Sequence, residues 1–142
     1  MNQQIVNAAR TWIGTPYLHQ ASVKGVGCDC LGLLRGVWRE VIGREPEPVP
    51  VYTPDWAEPQ MEERLHAAAL RHMQVAPAEM LPGQVILFRM RAGAIAKHIG
   101  IVSTGQTALY FIHAYTGHGV IESPLSQPWR RRIAARFEIS QG

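Results

Sequence analysis

"VGCDCLGLLRGVW", residues 26–38, carries both cysteines of the chain, one residue apart, at the start of an apolar run with helical spacing. Leu34, Val37, Trp38, Val41 and Ile42 recur at three- and four-residue steps. The run therefore reads as an amphipathic helix that begins at Asp29 or Cys30 and is capped by Gly43. A thiol at that junction could be a core side chain, half of a metal site or a nucleophile. The first turn of a helix has N–H groups without intrahelical partners and the positive end of the helix dipole, which together favour an anion. Thiols placed there can titrate at roughly 3.5–7.5 in place of ~8.5. The same N–H groups can hold an oxyanion. Against this stands a plain structural role, because free cysteine is among the most buried residue types. A bridge between Cys28 and Cys30 would be strained, so both read as free thiols.

Upstream, Ile5, Val6, Ala9, Trp12 and Ile13 form the buried stripe of a first helix that Gly14 and Pro16 stop. "GTPYLHQASVKGVG" (14–27) is a turn-rich loop. Downstream, "REPEPVPVYTPDW" (44–56) is too proline-rich for a helix or a central strand. Residues 57–73 suit a third helix with Met61, Leu65, Ala68 and Ala69 inward. The second half changes character. "LPGQVILFRM" (81–90), "KHIGIVS" (97–103), "ALYFIHAY" (108–115), "GVIES" (119–123) and "RIAARFEIS" (132–140) are short β-prone runs between turns. "STGQTA" (103–108) suits a hairpin connection between the second and third of them. Helices first and strands after is an α+β order, and the 142 residues read as one domain, 1–142, with an antiparallel sheet of about five strands.

Composition narrows the function classes. A hydrophobic fraction of 46% with 18% charged residues is that of a globular chain, not a disordered one. No stretch approaches the ~20 apolar residues of a membrane span, so no membrane insertion is expected. "MNQQIVNAARTWIG" lacks the basic start and apolar core of a secretory signal, so the expectation is a protein made in the cytoplasm without one. The charge of +3 is mild. Arg130, Arg131, Arg132 and Arg136 cluster near the C-terminus without a nucleic-acid recognition motif, so no nucleic-acid partner is expected. They read as a solvated edge, with contacts to substrate carboxylates or to an acidic partner surface as the sharper alternative.

A thiol nucleophile needs a base, and the base needs a group that orients it. His66 and His72 sit among charged residues of the third helix and are expected to face solvent. His98 opens the strand "HIGIVS" and His113 lies within "YFIHAY". If those strands form a hairpin, the two imidazoles approach each other across it. One would take the thiol proton while the other holds its ring. Zinc is the rival reading, with Cys28, Cys30, His98 and His113 as ligands, but one residue between paired cysteines is too few for the usual tetrahedral spacing. No metal and no cofactor is expected.

In order along residues 3–124, "GTPY", "GCDCLGLL", "LPGQVILF", "KHIGIVS" and "FIHAY" resemble the successive motifs of the NlpC-type peptidoglycan cysteine peptidases. The resemblance implies a papain-like α+β core with the nucleophile at a helix start and the base on the sheet. Carried over by motif, it makes Cys30 the nucleophile, His98 the general base and His113 the residue that orients it. Tyr17 becomes the tyrosine beside the nucleophile, assigned with Asp29 to the substrate and oxyanion side of the site. Asp29 is at the same time expected as a cap or anchor. It further implies hydrolysis of a stem-peptide amide in peptidoglycan, between γ-D-glutamyl and a diamino acid. The chain departs from the common pattern at Leu31, where a serine is usual, at Cys28, where an aromatic is usual, and at "LHQAS" (18–22), which replaces glycines. Those departures are similar to the branch found in tail-associated phage peptidases and phage-like gene transfer particles. That branch implies phage-tail-like partners and a place in a particle tail that acts on the cell wall. An inert structural tail component and a related Cys–His amidase or acyltransferase are the alternatives.

Overall fold

A computed structural model describes residues 2–47, 64–90 and 96–139. The first helix, α1 (Asn2–Arg10), buries Ile5, Val6 and Ala9. A turn-rich segment follows, holding a two-stranded ribbon of β1 (Ser22–Val23) and β2 (Gly27–Cys28). Helix α2 (Cys30–Val41) starts where the sequence places it. Its C-terminus closes as expected, with Gly43 at φ +124° and the N–H groups of Ile42 and Gly43 both donating to the Trp38 carbonyl. The buried stripe differs from the expected one. Gly32, Leu33, Gly36, Val37 and Trp38 face inward, while Leu34, Val41 and Ile42 are only half-buried. The reason is steric: Gly32 and Gly36 lie one turn apart and let the helix backbone come against Ala21 and the Trp12 indole, so the contact face turns toward the glycines. Trp12 itself is 2% exposed, and its Nε1–H donates to Glu40 Oε1 at 3.2 Å.

Helix α3 (Arg64–His72) buries Leu65 and Ala69 as expected. Met61, Trp56 and most of the proline-rich segment lie outside the described residues. His66 and His72 are only partly open to solvent. His66 is half-buried and meets Phe137 edge-on, and His72 Nε2 lies 3.3 Å from Glu47 Oε1.

The remaining chain forms a sheet of β3 (Gln74–Val75), β4 (Val85–Arg89), β5 (Ala96–Thr104), β6 (Leu109–Tyr115), β7 (Gly119–Pro124) and β8 (Ile133–Glu138). All pairs are antiparallel, in the order β3-β8-β4-β5-β6-β7. The β5–β6 hairpin closes through "STGQTA", where the Gly105 N–H donates to Ala108 O at 2.8 Å. The short strand β3, outside β8, and the return of β8 to pair with β4 add to the five runs legible in sequence. Both faces of the sheet are covered. Val85, Leu87, Ile99, Ile101, Ile112 and Ala114 pack with the helices. Ile86, Phe88, Val102 and Phe111 form a smaller core on the other side with Leu125. Burial on both faces is why "VILF" is a continuous apolar run and not an alternating one.

Two features shape the region where Cys30 arrives. The β4 ladders shift register beside Phe88, against β5 between Phe88 and Arg89 and against β8 between Leu87 and Phe88. The β5–β6 ladder runs from Thr104–Leu109 to Ile101–Ile112 and goes no further, so the first part of β5 has left its neighbour. A methyl group at Gly36 would run into the Trp12 indole. Gly36→Ala is therefore expected to destabilise the fold by about 1–3 kcal/mol, read as a lower denaturant midpoint with an unchanged m-value.

Candidate active site

Asp29 sets the start of α2. It is the N-cap, with Oδ1 accepting the Gly32 N–H at 2.7 Å, and Oδ2 accepts the Gln20 N–H at 2.8 Å. The second bond holds Gln20 at φ +66°, a left-handed conformation that a non-glycine residue adopts only when its surroundings impose it. One buried carboxylate thus joins the loop to the helix start. Asp29 is 2% exposed and its oxygens act as acceptors, so it is an anchor and does not serve an oxyanion, for which a donor is needed.

Cys30, the next residue, is half-buried at the first position of α2. Its Sγ–H donates to the Lys97 carbonyl at 3.6 Å, and the Ile99 N–H points back at the sulfur. Lys97 and Ile99 flank His98 on the stretch of β5 that has parted from β6. His98 Nε2 lies 2.9 Å from His113 Nδ1, and His113 Nε2 lies 3.0 Å from Ser123 Oγ. The imidazoles meet across the β5–β6 hairpin as the sequence suggests. They do so diagonally and beyond the end of the ladder, with ring centroids 5.1 Å apart. Tyr17 enters through a bridge to Cys28 and hydrogen-bonds Thr116, and it is close enough to Cys30 to feel a charge there. The structure thus brings Tyr17, Cys30, His98 and His113 into one locality. Cys28 is fully buried in the core with α2 and the sheet.

The NlpC/P60 family model matches residues 14–137. The chain belongs to the NlpC/P60 family. It is 30% identical over 134 residues to the murein DD-endopeptidase MepS/murein LD-carboxypeptidase of Escherichia coli, covering 93% of this chain and 60% of that protein. It is 29% identical over 137 residues to the γ-DL-glutamyl hydrolase of Bacillus subtilis, covering 94% of this chain and 29% of that protein. The chain therefore spans only part of either relative. An NLP/P60-family lipoprotein structure from Staphylococcus aureus superposes with a TM-score of 0.62 at 21% identity, over 99% of this chain and 42% of that one. The expected NlpC-type α+β fold is the observed one.

The electrostatics of this NlpC/P60 site differ from the simple helix-dipole expectation. Burial, and then the Asp29 carboxylate beside it, push the Cys30 thiol up to about 12, against the pull of the Ile99, Leu31 and Cys30 N–H groups. Cys28 is pushed to about 12 for the same two reasons. Burial also lowers His98 to about 3, with neighbouring His113 adding to the effect. His113 is lowered to about 4 by burial and then by His118. Burial thus disfavours the charged form of the thiol and of both imidazoles.

Sequence reading missed two residues here. Trp129, in the short helix α4 (Gln127–Arg130), has its ring 5.0–5.7 Å from those of Phe88, His98, Phe111, His113 and Tyr115, and so shields the histidine pair. Ser123 is the second. Its one sequence signal is the two-residue alternation with Ile121, which stands opposite His113. Three of the four clustered arginines make contacts within the fold. Arg136 donates to the carbonyls of Pro77, Ala78 and Glu79 and to Gln84 Oε1, and Arg130 donates to Leu125 O. Arg132 lies over the Trp129 ring at 5.4 Å. Among the described residues, no three His, Cys, Asp or Glu side chains converge as a metal-ligand set.

Two outcomes follow from these titrations. Both imidazoles bind protons less readily folded than at their ordinary 6.5, so below about pH 6.5 the unfolded chain takes up protons that the folded chain refuses. Stability should be level above that pH and fall as pH drops toward 4, and His98→Gln should flatten the fall in Tm. Iodoacetamide mapped by mass spectrometry should modify half-buried Cys30 before fully buried Cys28. Its rate should keep rising with pH above neutrality, without a plateau at mildly acidic pH.

Proposed function

We propose that this site hydrolyses stem-peptide amide bonds of peptidoglycan by acyl transfer to Cys30. The observation that carries the reading is the nucleophile-type residue at the start of α2, seated on the strand that bears His98, with His98 hydrogen-bonded to His113 at 2.9 Å. His98 Nε2 is occupied by His113, which leaves Nδ1 as the ring nitrogen for the thiol proton. Because the thiol is held high and the imidazole low, the proton leaves sulfur as the carbon–sulfur bond forms, not before. The scissile carbonyl oxygen takes up the negative charge, within reach of the Cys30 and Leu31 N–H groups and of the Tyr17 hydroxyl, which burial keeps protonated. His98 then delivers the proton to the leaving amine, and the C–N bond breaks. Water, deprotonated by the same nitrogen, attacks the thioester, and the thiol re-forms. His113 fixes the ring orientation throughout.

The substrate class is supported by the relatives, whose names describe a murein endopeptidase and a γ-DL-glutamyl hydrolase. We take the γ-D-glutamyl–diamino acid bond as the target. We further propose delivery by a phage-tail-like or gene transfer particle after synthesis in the cytoplasm. Its support is the similarity of Cys28, Leu31 and the 18–22 stretch to the tail-associated branch.

Purified chain should release stem-peptide fragments from isolated sacculi, with the bond identified by mass spectrometry. Cys30→Ser and His98→Ala should each lower kcat by at least about 10³-fold with the fold intact. His113→Asn should retain more activity than His113→Ala, because an amide still hydrogen-bonds the imidazole. Sacculi left uncut by the wild-type chain would remove the peptidase reading and favour an inert tail component. Release of a different amide fragment would favour the amidase alternative. Proteomics of purified particles tests the delivery step separately.

A further inference from the structure

We propose that Ser123 is a positioning residue for this chemistry: its hydroxyl accepts the His113 Nε2–H and so sets the tautomers of both imidazoles, leaving His98 Nδ1 unprotonated. The proposal rests on the assignment of Cys30 and His98 made above. A neutral imidazole carries one N–H and one acceptor nitrogen, so a file of two imidazoles and a hydroxyl has two polarities. In the first, the His98 Nε2–H donates to His113 Nδ1, and the His113 Nε2–H donates to Ser123 Oγ. The 2.9 and 3.0 Å separations suit both bonds. His98 then keeps a lone pair on Nδ1 and is a base. In the second, the Ser123 O–H donates to His113 Nε2 and the His113 Nδ1–H donates to His98 Nε2. The His98 proton is then forced onto Nδ1, and the ring has no site for a thiol proton.

Two observations select the first polarity. His98 is 7% exposed, and among the described residues its hydrogen bond is the one to His113, so an N–H on Nδ1 would be a buried donor with only the Cys30 sulfur to meet, a weak acceptor that the Ile99 N–H already engages. An unmatched buried donor costs about 1–3 kcal/mol, whereas an unused lone pair on Nδ1 is what a base requires. Ser123, in contrast, is half-buried on β7, so its own O–H can turn to solvent while an oxygen lone pair receives His113. Burial disfavours a charge on either ring, so the tautomer is the variable that Ser123 controls.

The test is imidazole 15N NMR of the full chain with Ser123→Ala and Ser123→Thr, alongside Cys30 alkylation and sacculus turnover. In the wild type, His98 should be protonated on Nε2 and bare on Nδ1, with His113 protonated on Nε2. Ser123→Ala should mix the tautomers and lower both the alkylation rate and kcat roughly 3–10-fold at unchanged KM, the effect of one hydrogen bond. Ser123→Thr should restore all three readouts. A wild-type His98 proton on Nδ1, or tautomers that Ser123→Ala leaves unmoved, would overturn the assignment. If Ser123→Ala does not fold, the wild-type tautomers and Ser123→Thr decide it. The expected tautomers in a chain that cuts no stem peptide would support Ser123 while removing the peptidase reading.

Discussion

The parting of β5 from β6 beyond Ile101–Ile112 is the constraint on which the site depends. In this stretch the Lys97 C=O and the Ile99 N–H meet a side chain from α2. Buried backbone polar groups must find partners. Here the sulfur of Cys30 takes them, accepting from Ile99 and donating to Lys97. The gap also gives the His98 ring room to reach His113 on the diagonal. Had the ladder continued, the sulfur would have no strand groups to meet. The register shifts of β4 beside Phe88, the residue paired with His98, bend the same region from the other side.

What holds the sulfur at that gap is Asp29. Its two oxygens fasten the first turn of α2 and the loop at Gln20 to a single buried point. The same proximity raises the thiol pKa, so the residue that positions the sulfur also keeps it protonated at rest. Trp129 and Phe111 pack on the histidine pair, with Arg132 over the Trp129 ring, and burial there lowers the pKa of both imidazoles. In the proposed chemistry, charge develops when a carbonyl arrives to accept it, which is where N–H groups at a helix start act most strongly.

Local physics made much of this legible in the amino-acid sequence. The start of α2 follows from Asp29 as a capping residue before an apolar period, and its end from Gly43. The hairpin follows from the polar turn at 103–108 between two β-prone runs. Cys30, His98 and His113 stand at a helix start and on two adjacent strands, so their convergence needed only that those strands pair. The buried face of α2 was misread because glycines carry no hydrophobic signal, yet at 32 and 36 they decide which side can approach Trp12 and Ala21. His66 and His72 were misread because their neighbours along the chain are charged, while the groups that cover them come from elsewhere in it.

By itself, the sequence determined the element types, the α+β order, and the places of Cys30 at a helix start and of His98 and His113 on neighbouring strands, because each depends on propensity, caps and spacing within a few residues. Tertiary structure alone decided the return of β8 to pair with β4, the early end of the β5–β6 ladder, the packing of Trp129 on the histidines and the contact of His113 with Ser123. It also set the direction of the thiol's titration: the helix-start N–H groups pull the Cys30 pKa down, and burial beside Asp29 pushes it up further. Desolvation and hydrogen-bond geometry are properties of what surrounds a group in space, and residues 30, 98, 113, 123 and 129 become neighbours only when the sheet has closed.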